Sequence, residues 1–487
     1  MLYARALFGV VIVTVVAALF FVAEGPLSDS SDPEKLAQTE ATPEALPPAK
    51  ETPVESEKLL DQQIVCGVPA PEFENFPPDT TSATPPGVRP VTKEQTLVAK
   101  TVQSQTDFAA DLYRQLSSKA DGGNLFFSPH SIGTILTLTA DGARGQTAKE
   151  MLQVLQLQAD VDATGAPDLR DVQAAIAALG KQLAGRKDKT ELAVANALWV
   201  DAGMPLRKPF VDGVLTADPA AALENVDFQN DFEAGRAKIN DWTETNTAGR
   251  IKDLLAQGSL DELTRLVLTN AVYFKGDWAE KFDSSWTRAA DFTLANGEKN
   301  KTPLMTATVA AGFAELDGYS ILDLPYAGEK LSLLVILPDE ADGLPVIEQK
   351  LNLDWLAKGV ASLRKRAVQV ALPKFKMETK YSLKETLSEM GMPTAFGNEA
   401  NLTGLTDSPE ASMLYISAVE HKAFVEVNEE GSEAAAATAV VIGFGSASPA
   451  PAPAEFIANR PFAFAIRHRE SGQLLFLGRF SQPQPAQ

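Results

Sequence analysis

Val419-Glu420-His421-Lys422-Ala423-Phe424-Val425-Glu426-Val427-Asn428-Glu429-Glu430-Gly431-Ser432-Glu433-Ala434-Ala435-Ala436-Ala437-Thr438-Ala439-Val440-Val441-Ile442-Gly443-Phe444-Gly445 joins two patterns that rarely meet. Its first part has the period of a β-strand, with Ala423, Val425 and Val427 on one face and Phe424, Glu426 and Asn428 on the other. Read as extended, its second part alternates too. Ser432, Ala434, Ala436, Thr438, Val440 and Ile442 then share a face that is small near Gly431 and larger toward Ile442. Such a row can enter a sheet between two strands, because its leading side chains need little room and Glu433 points to the other face. The residues alone also allow a helix capped by Ser432, built on Ala and Glu propensity and followed by the Pro-Ala tether at 446–454.

Working outward, Leu125-Phe126-Phe127-Ser128-Pro129-His130-Ser131-Ile132 predicts a helix with Ser128 as cap and Pro129 in its first position. Val98, Val102, Phe108, Leu112 and Leu116 fall on one helix face, and residues 172–184 read as a surface helix. Strands are predicted at Glu191-Leu192-Ala193-Val194-Ala195-Asn196-Ala197-Leu198-Trp199-Val200 and at Leu266-Val267-Leu268-Thr269-Asn270-Ala271-Val272-Tyr273-Phe274-Lys275-Gly276-Asp277-Trp278. A hairpin turns at Ala327-Gly328, a strand covers 368–376, and a helix follows at 383–391. Asn459-Arg460-Pro461-Phe462 and Leu474-Leu475-Phe476-Leu477-Gly478-Arg479-Phe480 mark two closing strands.

In this order the blocks resemble the serpins, the serine protease inhibitor superfamily, nearly continuously over residues 97–481. The resemblance implies a mixed α+β fold with three β-sheets, one of them large and central, about nine helices and an exposed reactive-centre loop. It assigns Glu429, Glu430, Gly431, Ser432, Glu433, Ala434, Ala435, Ala436, Ala437 and Thr438 to the loop hinge. Ser128, Ser131, Asn270 and His421 match the polar shutter, where the sheet opens. Trp278, Lys374 and Glu429 match the breach, with Lys374 pairing Glu429 at the loop base.

The function implied is inhibition of a serine protease by a suicide-substrate mechanism. The protease cleaves the loop as bait, and the hinge side then inserts into the central sheet, an established case of strand addition. Family spacing from Gly431 places the bait bond between Gly445 and Ser446, which predicts an elastase-like or subtilisin-like target. A register slip of one places it between Phe444 and Gly445 and predicts a chymotrypsin-like target. The alternative is a non-inhibitory serpin that acts as a binding or carrier module. That reading predicts bulky, charged or proline residues in the hinge, which Gly431-Ser432 and the run Ala434 to Ala437 oppose.

Composition narrows the rest. A net charge of −21 argues against nucleic acid as a partner, and 45% hydrophobic residues in 487 suffice for a large core. A single cysteine, Cys66, excludes an intrachain disulfide, and the three histidines His130, His421 and His468 read as structural. No nucleophile elbow, zinc helix or phosphate loop occurs, so neither an enzyme nor a cofactor is expected. Residues 1–5 form a short cytoplasmic end, and the uncharged run 6–23 reads as a transmembrane anchor or signal sequence. Residues 24–96 read as a disordered Pro-rich acidic spacer and 97–487 as the folded domain, expected to be monomeric and exported, either anchored and facing the periplasm or extracellular space or secreted where the run 6–23 is cleaved.

Overall fold

The computed structural model describes residues 92–183, 190–431 and 452–483. The apolar run 6–23, hinge residues Ser432 to Thr438, and both candidate bait bonds at Phe444, Gly445 and Ser446 lie outside the described residues. Among the described residues no helix is long and apolar enough to cross a membrane.

Nine α-helices occur among the described residues: α1 (Lys93–Lys119), α2 (Pro129–Ala140), α3 (Gly145–Val154), α4 (Arg170–Leu183), α5 (Lys208–Ala217), α6 (Phe228–Asn246), α7 (Leu344–Lys350), α8 (Leu353–Ser362) and α9 (Lys384–Met390). The strands are β1 (Leu125–Phe127), β2 (Thr190–Asp201), β3 (Ala222–Val226), β4 (Leu266–Gly276), β5 (Arg288–Thr293), β6 (Lys299–Leu316) and β7 (Tyr319–Pro325). They continue with β8 (Leu331–Pro338), β9 (Arg364–Pro373), β10 (Phe375–Ser382), β11 (Ile416–Val427), β12 (Ala454–Ile457), β13 (Phe462–His468) and β14 (Leu474–Phe480).

Long strands build the five-stranded sheet, in the order β10-β11-β4-β2-β3. The other sheet has nine strands, β1-β14-β13-β8-β7-β6-β9-β12 with β5 also on β6. Where three separate sheets are expected, two are hydrogen-bonded into one by β6. Its 18 residues pair with β5 and β9 along most of their length and with β7 at the far end.

The core follows from the alternation in the strands. Ala423, Val425 and Val427 of β11 turn into one buried cluster with Val272, Phe274, Val370, Phe464 and Phe476, while Phe424 faces the opposite side with Tyr273. A buried Phe in such a cluster contributes roughly 1.5–3 kcal/mol by removal from water. Helix α2 is buried nearly all round, with only His130 of intermediate exposure, and its threonines Thr137 and Thr139 return their hydroxyls to carbonyls of the preceding turn. Its Ile132, Ile135 and Leu136 share a cluster with Leu198 and Leu268 of one sheet and Leu334 and Ala465 of the other.

Two boundaries differ from the expectation. Helix α1 starts at Lys93, ahead of Leu97, because Thr92 and Gln95 form a reciprocal cap in which each side chain accepts the other's backbone N–H. The strand expected over 368–376 is two strands of different sheets. Pro373, which has no N–H for a ladder, ends β9, and Lys374 donates to the Pro303 carbonyl at 3.0 Å before β10 begins. Lys374 is thus the crossing point between the sheets.

Candidate functional site

Register places four polar residues in one row across the five-stranded sheet. Tyr381 lies opposite His421, His421 opposite Asn270, and Asn270 opposite Asn196. The start of α2 is bonded to this row. His421 Nε2 accepts the backbone N–H of Ser128 at 3.2 Å, so the proton sits on Nδ1, which donates to Asn270 Oδ1. Asn270 Nδ2 donates to Ser131 Oγ and Asn196 Oδ1, and Ser131 Oγ donates to the same Asn196 oxygen at 2.9 Å. Asn196 Nδ2 then donates to Asp218 Oδ2 at 3.0 Å, at the end of α5. Ser128 Oγ caps α2 by accepting the Ser131 N–H and donates to the Leu475 carbonyl of β14 at 2.7 Å.

Donation therefore runs one way, from the imidazole to the Asp218 carboxylate. Ser128, Ser131, Asn196, Asn270 and His421 are each buried to within 2% of full exclusion. Burial pushes the His421 imidazole down to about 3, against the raising effect of its bond to Asn270, so the ring is neutral at physiological pH. The result is an uncharged relay in the middle of a packed sheet, whose bonds can be exchanged for others at modest net cost.

At the C-terminal ends of β4 and β11 a second cluster forms. Glu429, with a side chain 9% exposed, accepts from Lys374 Nζ at 2.8 Å and from Thr287 Oγ1 at 2.7 Å. Burial raises its carboxyl, but the bonds from Lys374 and Thr287 outweigh this and hold it below the usual range. Trp278 stacks on Tyr326 with centroids 4.6 Å apart, donates Nε1–H to the Asn428 carbonyl at 2.8 Å, and gives its backbone N–H to Glu430 at 3.1 Å. Gly431, the last described residue before the loop, has φ +93°, and a Cβ there would lie 2.2 Å from the Gly276 carbonyl and 2.4 Å from the Trp278 nitrogen. No side chain fits. The chain thus leaves β11 pressed against the end of β4, and these two neighbours are parallel.

The structure brings together Ser128, Ser131, Asn270 and His421 in the first cluster, and Trp278, Lys374, Glu429, Glu430 and Gly431 in the second. Asn196, Asp218, Thr287 and Tyr326 were not singled out from the sequence, although each bonds to or stacks on a residue that was. A polar Asn196 inside the apolar run of β2 is the signal that could have added it to the relay.

Residues 103–483 match the family model described as Serpin (serine protease inhibitor). The chain belongs to the serpin family. The leukocyte elastase inhibitor of Sus scrofa is 37% identical over 388 residues, covering 78% of this chain and 98% of that relative. Serpin-ZXA of Oryza sativa subsp. japonica is 38% identical, with 78% and 97% covered. Among solved structures, the native stressed conformation of Arabidopsis AtSerpin1 superposes with a TM-score of 0.69 at 28% identity, covering 79% of this serpin and 98% of that chain.

Proposed function

We propose that this serpin inhibits a serine protease as a suicide substrate and is not itself an enzyme. One observation carries the reading: the chain departs at Gly431 against the last residue of β4, at the seam between the parallel strands β4 and β11. A strand folding back from the end of β11 into that seam is antiparallel to both neighbours. It exchanges one parallel ladder for two antiparallel ones, which are somewhat more stable per residue. The β4–β11 ladder pairs nine residues, so the net gain is about one ladder, ~5–14 kcal/mol at ~0.5–1.5 kcal/mol per bond before ordering costs. The shutter relay lies in the path of that strand, and its neutral bonds are the kind that can be remade. The breach cluster holds the hinge at Glu429 to Gly431 until cleavage.

In this reading the bait bond is Gly445–Ser446, with Phe444–Gly445 as the slipped register. The Sus scrofa relative, a leukocyte elastase inhibitor, favours an elastase-type target. The apolar run 6–23 serves to export or anchor the domain.

The test is a panel of elastase-, subtilisin- and chymotrypsin-like proteases. A complex that survives denaturing electrophoresis is expected, together with a C-terminal fragment starting at Ser446 or Gly445 and a large rise in melting temperature after loop cleavage. Ser432→Arg should convert the inhibitor into a substrate. Cleavage with no thermal gain and a fully active protease would refute the mechanism.

A further inference from the structure

The loop sequence from Ala434 to Ala454 contains no Asp, Glu, Lys, Arg or His. Its candidate bait residues offer a protease either no side chain, at Gly445, or a purely apolar one, at Phe444. Apolar and small pockets discriminate weakly, by roughly 10–200-fold per differing group. Charge-based selection of a protease must therefore come from outside the loop.

A suitable surface lies where the chain re-enters the fold. Strand β12 pairs in parallel with β9 from Ala454 opposite Val368 onward. The preceding β9 residues Arg364, Lys365 and Arg366 are all exposed, and that edge has no partner strand among the described residues. Arg364 Nη1 donates to the carbonyls of Ala361 and Leu363 at 3.1 and 2.8 Å, which fixes its head at the edge. Arg366 follows Arg364 on the face that carries Val368, and Lys365 turns to the other face. There Lys365 lines a cleft of about 240 Å³ with Arg467, Arg469, Asp323 and Glu329, the last of these paired with Arg469 at 3.3 Å. In that cleft Asp323 is taken by the two arginines, at 3.0 and 3.2 Å, whereas none of the three consecutive cations is joined to a carboxylate among the described residues.

Extending the β12 register backward sets Ala452 beside Arg366, and Ser446 is six residues earlier in the sequence. At ~3.3 Å per extended residue, a protease held at the bait bond is tethered within roughly 20 Å of the row, less than the width of a small domain. Three consecutive cations at one sheet edge, Arg364 and Arg366 on one face and Lys365 on the other, with no carboxylate partner among the described residues, are a local reversal of sign on a chain of net charge −21. At physiological salt, screening limits its reach to about 8 Å, so it acts on contact.

We propose that Arg364, Lys365 and Arg366 form a docking surface for an acidic face of the protease that attacks the loop. The proposal rests on the inhibitory reading above and adds the chemistry of the partner. It is tested with the triple variant Arg364→Gln, Lys365→Gln, Arg366→Gln in the full chain. The probes are two serine proteases of matched cleavage preference, one acidic and one basic in surface charge. The association rate with the acidic protease should fall about tenfold and that with the basic one by less than about twofold, at unchanged stoichiometry of inhibition. Equal changes for both proteases, or none for either, overturn the proposal. So does an unchanged acidic-protease rate with loss of dextran sulfate binding, which would make the row a polyanion site.

A second measurement separates the two claims. The acidic protease with its active-site serine replaced by alanine is titrated against both chains. Weaker binding by the variant supports the docking row even if no covalent complex ever forms. Covalent complexes accompanied by equal affinities keep the inhibitor and remove the row.

Discussion

The two polar clusters of the five-stranded sheet are built on opposite principles. The central one is a neutral relay that ends on a carboxylate only at its rim, with every inner member buried and bonded. The upper one is a clamp of an ion pair with a half-exposed lysine, a Trp-Tyr stack, and a glycine enclosed by backbone. A neutral relay can exchange its bonds for others with small net change, whereas the clamp holds until its ion pair and the Trp278 bonds are broken. In the mechanism proposed above, the middle of the sheet is where the loop enters and the top is where the hinge is held.

Acid should break this contrast most strongly, at the centre. The imidazole of His421 is lowered to about 3 in the folded chain against 6.5 unfolded, so it is neutral when folded. Its contribution is fully present above pH 6.5. It is lost as pH falls, because the unfolded chain takes up a proton that the folded one refuses. At ~1.4 kcal/mol per pH decade this amounts to ~2 kcal/mol between pH 6.5 and 5 and ~5 kcal/mol by pH 3. His130, which burial lowers to about 4, adds a slope of the same sign. Urea denaturation across pH 5–7 should show His421→Asn flattening the slope by the amount one proton carries. An unchanged slope would mean the ring is already charged in the fold.

At the top, backbone geometry should dominate. Gly431→Ala places a Cβ at φ +93° against the Gly276 carbonyl and the Trp278 nitrogen, so the chain must shift and the Trp278-to-Glu430 bond must lengthen or break. A cost of ~2–4 kcal/mol is expected, read as a lower melting temperature together with a red-shifted emission of Trp278. A fall in stability without that spectral change would place the strain elsewhere.

How much of this was legible in the residues depends on whether the information is local. Ser128 and Pro129 announce the start of α2 because a cap and a fixed φ are read within four residues. Strand identity was likewise plain, from alternation in the second half of β11 and from the β-rich run in β4. The row Tyr381-His421-Asn270-Asn196 was not, since cross-strand register belongs to pairs of strands far apart in the chain and one sequence carries no trace of it. His421 and Asn270 were grouped with Ser128 through family resemblance alone. Asp218 and Thr287, which complete the two clusters, are ordinary polar residues near helix or strand ends and gave no signal. The break at Lys374 was hidden because Pro373 falls inside an otherwise continuous β pattern, although proline is the residue that should have raised the question.

The smallest effect expected is the one that sharpens the contrast most. Lys374→Ala removes a cation whose side chain is 39% exposed from a carboxylate that is 9% exposed. A buried partner left uncompensated costs ~3–5 kcal/mol in a dry site, but here solvent reaches the lysine and Thr287 still donates, so ~1–2 kcal/mol is expected. Lowered by its partners, Glu429 contributes above the unfolded carboxyl value of 4.5, and that contribution fades as pH falls through the folded value. The difference between wild type and Lys374→Ala should thus be constant from pH 8 to 5 and shrink below, whereas the His421 effect already begins to fade below pH 6.5. If the clamp holds the hinge, the variant should also insert its loop spontaneously, seen as a heat-resistant uncleaved form accumulating on storage. A variant that loses stability at neutral pH without that form would show the ion pair to be a fastening of the strand ends and not of the hinge.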